Sequence, residues 1–76
     1  MTERVKELDL KGLKCPLPVL RTRRALQRLA AGERLVVYCT DPLSSIDIPH
    51  LVHETGGVLE ARHTEGATFI FQILRS

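Results

Sequence analysis

Two prolines one residue apart, Pro16 and Pro18, stand in front of an apolar-periodic segment and limit where a helix can begin. Proline lacks the backbone N–H that a helix interior needs, and its fixed φ already suits the first helical turn. The stretch Gly12-Leu13-Lys14-Cys15-Pro16-Leu17-Pro18-Val19-Leu20 therefore reads as a loop opening into a helix, with Cys15 at the N-cap. There the sulfur meets the positive end of the helix dipole, with Lys14 beside it, and both favour thiolate. Pro16 and Pro18 remove two early N–H groups and leave those of Leu17 and Val19, so the expected lowering of the thiol pKa is moderate. Cysteine caps helices poorly compared with Ser, Asp or Asn, which favours a reactive cysteine over a mere cap.

The helix predicted from Pro16 to about Ala30 puts Val19, Thr22, Ala25, Leu26, Leu29 and Ala30 on one arc and Arg21, Arg24, Gln27 and Arg28 on the other, with Arg23 at the margin and Gly32 as terminator. Leu20 breaks the pattern by projecting among the arginines. Val5 to Leu10 alternates as a short strand with one solvated face. Arg34 to Thr40 is apolar on both faces, as a central strand would be, and Asp41-Pro42 ends it. Because Pro49 is tolerable only in a first turn, the second helix is predicted to settle near Asp47 and run to Thr55, burying Ile48, Leu51 and Val52. Gly56-Gly57 stops it. Val58 to Thr64 and Ala67 to Leu74 read as strands joined at Glu65-Gly66, with Phe69, Phe71 and Ile73 facing the core.

The order β-α-β-α-β-β, with a right-handed crossover between parallel first and second strands, gives an α+β fold: a two-layer α/β sandwich with both helices on one sheet face. A chain of 76 residues accommodates one domain, 1–76, with a workable core. The 43% hydrophobic and 26% charged residues suit a soluble globular protein, and no run is long enough to cross a bilayer. The opening residues, Met1 to Glu7, are polar without an apolar h-region, so residence in the cytoplasm is expected. Cys15 and Cys39 make a poor disulfide scaffold. A net charge of +2, one tyrosine and two phenylalanines give no basis for direct nucleic-acid binding.

Parallel first and second strands bring Cys15, Lys14, Asp41 and the Ser44-Ser45 segment to one rim of the sheet, where open α/β sheets commonly bind. Asp41 can shape the turn before Pro42, and Asp47 can cap the second helix. Cys39 falls among the inward residues Leu35, Val37 and Cys39, which favours packing over reaction. His50 and His53 share a helix face but lack a third ligand, and no metal site is expected. His63 is alone in a strand. Arg21, Arg24 and Arg28 read either as a solvated face or, with Leu20, as a surface that docks acidic partner proteins. The face opposite the helices would expose Val36, Tyr38 and Ile70, which allows a monomer or a weak dimer.

Leu8-Asp9, Gly12, Leu13, Cys15, Pro16 and Pro18, followed by Thr40-Asp41-Pro42 and Asp47-Ile48-Pro49, resemble the TusA (SirA-like) sulfurtransferases, whose mark is Cys-Pro-X-Pro. The resemblance covers nearly the whole chain. It implies a four-stranded mixed sheet and a small cytoplasmic sulfur carrier without cofactor. In such a carrier Cys15 takes sulfane sulfur as a persulfide from a cysteine desulfurase or a rhodanese and relays it to an acceptor protein. Gly12, Lys14, Pro16, Pro18, Asp41 and Asp47 would support that cysteine, and Cys39 has no counterpart in the motif. Family members serve tRNA thiolation, molybdenum-cofactor supply or sulfur oxidation. Two other readings stay open at this point: a regulatory interaction module without covalent chemistry, and a thiol redox protein using Cys15 and Cys39.

Overall fold

In a computed structural model, which describes residues 5–76, the elements are β1 (Val5–Leu10), α1 (Leu17–Arg28), β2 (Arg34–Cys39), α2 (Ser44–Glu54), β3 (Val58–Glu65) and β4 (Thr68–Leu74). The residues Met1–Arg4, part of the polar opening that bears on localisation, lie outside the described residues. The sheet order is β1-β2-β4-β3, with β1 and β2 parallel and the other two pairs antiparallel. This is the two-layer sandwich expected from the element order, with the four-stranded mixed sheet that the family resemblance implies.

Alternation decides which side chains enter the core. Leu35, Val37 and Cys39 of β2 point the same way as Phe71 and Ile73 of β4 and Leu10 of β1, and all six are buried. Leu26 and Leu29 from α1 and Ile48, Leu51 and Val52 from α2 close over them. Each side chain so covered contributes on the order of 1.5–3 kcal/mol by leaving water. Cys39 is fully buried, in agreement with its inward register.

The open face is half-covered by its own polar groups. Tyr38 donates to Glu7 at 2.7 Å, and Arg34 Nε meets Glu60 at 2.8 Å, with Gln72 adding a contact to the same carboxylate. A register shift between Leu59 and Ala61 takes Glu60 out of the β3 ladder. Val36, Tyr38 and Ile70 are half-buried on this face. The hairpin turn falls on Gly66-Ala67, one residue later than Glu65-Gly66, because Glu65 still pairs with Thr68; Gly66 takes the left-handed φ of 58° that the turn requires.

Both helices depart from their expected bounds. α1 starts at Leu17 and ends at Arg28; Leu29 is already extended, and Ala30 is exposed beyond the helix instead of on its buried arc. α2 begins a turn earlier than Asp47, so Pro49 lies inside it. A proline there leaves the carbonyl four residues earlier, that of Ser45, without its helical donor. Arg62 of β3 supplies one: its Nη2 donates to the Ser45 oxygen at 3.0 Å while its guanidinium sits 5.7 Å from the Phe71 ring centre. The donor comes from a strand remote in sequence, which is why local rules placed the helix start too late. On the inner face of α1, the fully buried Thr22 hydroxyl has no hydrogen-bond partner among the described residues.

Candidate functional site at the sheet rim

The site is assembled at the C-terminal ends of β1 and β2. After Leu10, Gly12 takes φ 86° and donates its N–H to Thr40 Oγ1 at 2.9 Å, so the loop turns back across the end of β2. Lys14 stays exposed, and its carbonyl accepts the Leu17 N–H at 2.9 Å. Cys15 follows, exposed, and joined to Pro16 by a cis peptide bond.

Asp41 does two things at once. Its Oδ1 accepts the Leu43 N–H at 3.1 Å, which shapes the turn into α2 as expected, and its Oδ2 accepts the Cys15 N–H at 2.5 Å. Its backbone carbonyl also takes the buried Ser44 hydroxyl at 2.5 Å. The backbone that presents the cysteine is thereby pinned to the loop after β2. Asp47 does not cap α2. It is the fourth residue of that helix, and its Oδ2 lies 3.5 Å from Cys15 Sγ, accepting the thiol proton.

Two expectations for Cys15 are corrected. The N-cap of α1 is Pro16, with Pro18 at the second helical position, so the sulfur stands one residue outside the cap. Its pKa is raised above the ordinary cysteine value, not lowered: by desolvation first, then by the hydrogen bond to Asp47, then by the negative charges of Asp47 and Asp41. The nearby N–H groups are already engaged, that of Cys15 by the Asp41 carboxylate and that of Leu17 by the Lys14 carbonyl. Asp41, in contrast, is held below the usual carboxylate range by the N–H groups of Cys15 and Leu43, with a smaller contribution from the Lys14 charge.

Beneath the sulfur is a notch lined by Cys15, Pro18, Val19, Asp41, Ser44 and Asp47. Its empty volume is about 150 Å³, with no space for a water-sized molecule. Pockets that hold small ligands run to roughly 300–1,000 Å³, so this site does not enclose a substrate. Arg21, Arg24 and Arg28 line a separate open groove with Leu8 and Ala25, and Leu20 is exposed, so the structure keeps these docking candidates on the surface. His50 is exposed and lies 3.5 Å from Glu54, His53 is exposed, and no cluster able to hold a metal ion occurs among the described residues.

Sequence reasoning overlooked Leu17, Leu43 and Ile46, which are exposed and, like Leu20, adjoin notch-lining residues along the chain. The signal was present in part, since Leu43 and Ile46 fall outside the stripe of Ile48, Leu51 and Val52. Thr40, whose hydroxyl oxygen holds the Gly12 N–H, is a further supporting residue that local sequence does not single out.

A two-layer sandwich with an exposed cysteine at its rim, above a notch too small for a ligand, defines a small α+β domain that presents a thiol on its surface. Residues 6–75 match the family model described as sulfurtransferase TusA, and the chain belongs to that family. It is similar to the sulfur carrier protein TusA of Allochromatium vinosum, 41% identical over 93% of each chain. A putative sulfur carrier protein of Neisseria meningitidis serogroup A is 44% identical over 68% of this chain and 70% of its own. The crystal structure of a SirA-like protein from Desulfitobacterium hafniense superposes with a TM-score of 0.79 at 24% identity, covering 92% of this chain and 95% of that one, which shows the shared fold. The protein is thus a sulfur carrier, and carriage requires a donor and an acceptor of sulfur. Among the described residues no helix is long and apolar enough to cross a membrane.

Proposed function

We propose that Cys15 is the residue that carries the sulfur, as a persulfide, and that the protein acts as a cytoplasmic sulfurtransferase between protein partners. The observation that carries this reading is the exposed Sγ above a notch without room for a substrate. Sulfur reaches such an atom only from another protein's surface or from a small donor in solution. Cys15–SH attacks the outer sulfur of a donor R–S–SH; the donor S–S bond breaks, and its electron pair leaves on the donor sulfur, which takes the proton. The products are Cys15–S–SH and R–SH. An acceptor thiol reverses the roles.

Gly12, Pro16, Pro18 and Asp41 set the position of the sulfur, Asp47 and Asp41 set its electrostatics with Lys14 acting on Asp41, and Leu20 with Arg21, Arg24 and Arg28 meets an acidic partner surface. A cysteine desulfurase or rhodanese fits the donor role, with delivery towards tRNA thiolation, molybdenum-cofactor supply or sulfur oxidation. Full burial of Cys39 argues against a redox pair with Cys15.

The test is intact-mass and peptide-level mass spectrometry after incubation with a persulfide donor. One added sulfur on Cys15, transferable to an acceptor thiol and absent from Cys15→Ser, is the expected result. Loss of two hydrogens, or sulfur on Cys39 alone, refutes the assignment.

A further inference from the structure

Among the described residues the large apolar side chains left exposed are six, and their distribution is uneven. Val5 and Val58 lie in the register row Val5–Arg34–Leu74–Val58, at the end of the sheet away from the cysteine. The other four are chain neighbours of residues that line the notch: Leu17 beside Pro18, Leu20 beside Val19, Leu43 beside Ser44, and Ile46 beside Asp47. Ile46 is the most open of them, at 67% exposure. These four form an apolar collar along the starts of α1 and α2, the two helices that begin at the acidic centre in which Asp41 holds the Cys15 backbone and Asp47 the Cys15 thiol.

A partner that covers this collar removes water from two carboxylates at the moment a thiolate must form between them. Uncompensated, that accumulation of negative charge in a dry interface opposes both docking and transfer. This chain relieves Asp41 alone: the Lys14 charge acts on it, whereas Asp47 has no salt-bridge partner among the described residues, the first turn of α1 carries no acidic or basic side chain, and His50 on α2 pairs with Glu54. The compensating charge has to arrive with the visitor.

We propose that the Leu17–Leu20–Leu43–Ile46 collar is an interaction surface for a partner segment that presents its transferable sulfur next to a lysine or arginine, whose cation pairs with Asp47 in place of the Cys15 thiol. The proposal rests on Cys15 being the carrier and adds the chemistry of what docks there. It differs from the arginine groove of α1, which suits acidic surfaces; the rim selects a cation. In the docked state the freed Cys15 attacks the outer sulfur of the partner persulfide, its proton ends on the departing partner thiolate, and no other reactant is needed. Without such a cation the thiol stays hydrogen-bonded to Asp47, and unmatched donors load it more slowly.

The test uses three synthetic peptides, each bearing one cysteine persulfide flanked by leucines and by either two arginines, two glutamines or two glutamates. The initial rate of sulfur gain at Cys15 is read by mass spectrometry and divided by the rate at which each peptide transfers sulfur to 2-mercaptoethanol, which removes differences in intrinsic reactivity. The arginine peptide is expected to load Cys15 about tenfold faster than the glutamine peptide, with the glutamate peptide slowest. In Asp47→Asn the advantage shrinks to about twofold, and Ile46→Ser slows loading from the arginine peptide. Equal normalised rates for the three peptides, or an undiminished arginine preference in Asp47→Asn, overturn the proposal while leaving the carrier reading intact if inorganic polysulfide still loads Cys15. Failure of every donor, polysulfide included, removes the carrier reading and this proposal with it.

Discussion

The contact between Arg62 and the Ser45 carbonyl makes a quantitative prediction about how α2 tolerates its internal proline. Replacing Arg62 by Met keeps an apolar stem near Phe71 and removes both the hydrogen bond at 3.0 Å and the ring contact at 5.7 Å. A hydrogen bond from a charged donor contributes about 1.5–3 kcal/mol net, and the exposure of Arg62 brings that to about 1 kcal/mol here. The cation–π contact adds about 0.5 kcal/mol. Arg62→Met is therefore expected to cost about 1.5 kcal/mol in the native background. In Pro49→Ala the new N–H reaches the Ser45 oxygen itself, and the same Arg62→Met change then costs only the ring contact, about 0.5 kcal/mol. Urea unfolding under reducing conditions measures the cycle. With an m-value of about 1 kcal/mol/M, the midpoint falls by about 1.5 M in the first case and about 0.5 M in the second. Equal shifts in the two backgrounds would show that Arg62 does not compensate for Pro49, and the reasoning fails.

Thr22→Val removes a buried hydroxyl without a partner and keeps β-branching, so it is expected to stabilise the fold by about 1 kcal/mol, raising Tm by roughly 4–8 °C; an unchanged or lower Tm refutes it. Asp41 has a native pKa below its unfolded value, so its contribution to stability is present above the unfolded pKa, near roughly 4, and is lost as pH falls through the native one. Unfolding free energies measured across that acidic range should fall more steeply in the native protein than in Asp41→Asn. Native alkylation should modify Cys15 alone, with a rate that rises through a pH above the ordinary thiol value, while Cys39 reacts only after unfolding; early labelling of Cys39 refutes its burial.

Much of the architecture was legible from periodicity. β1 has the expected ends, Val5 and Leu10, since alternation there has no competitor, and the inward set Leu35, Val37 and Cys39 follows from a strand apolar on both faces. The start of α2 was not legible, because the group that satisfies Ser45 belongs to Arg62, on a strand formed later in the chain. The candidate site divides the same way. Position 15, the glycine before it and the two prolines follow from local chemistry. The state of the thiol does not, since Asp41 and Asp47 act from 26 and 32 residues away, and neighbours visible in sequence pointed to the opposite sign. The arginines of α1 are exposed as their helical arc implies, whereas the collar of Leu17, Leu43 and Ile46 appears only once two helix starts are brought side by side.

A notch with no space below the sulfur has a consequence for traffic. On the reading that Cys15 carries the sulfur, cargo held there stays open to the surroundings, and delivery and collection both take place at that one exposed atom.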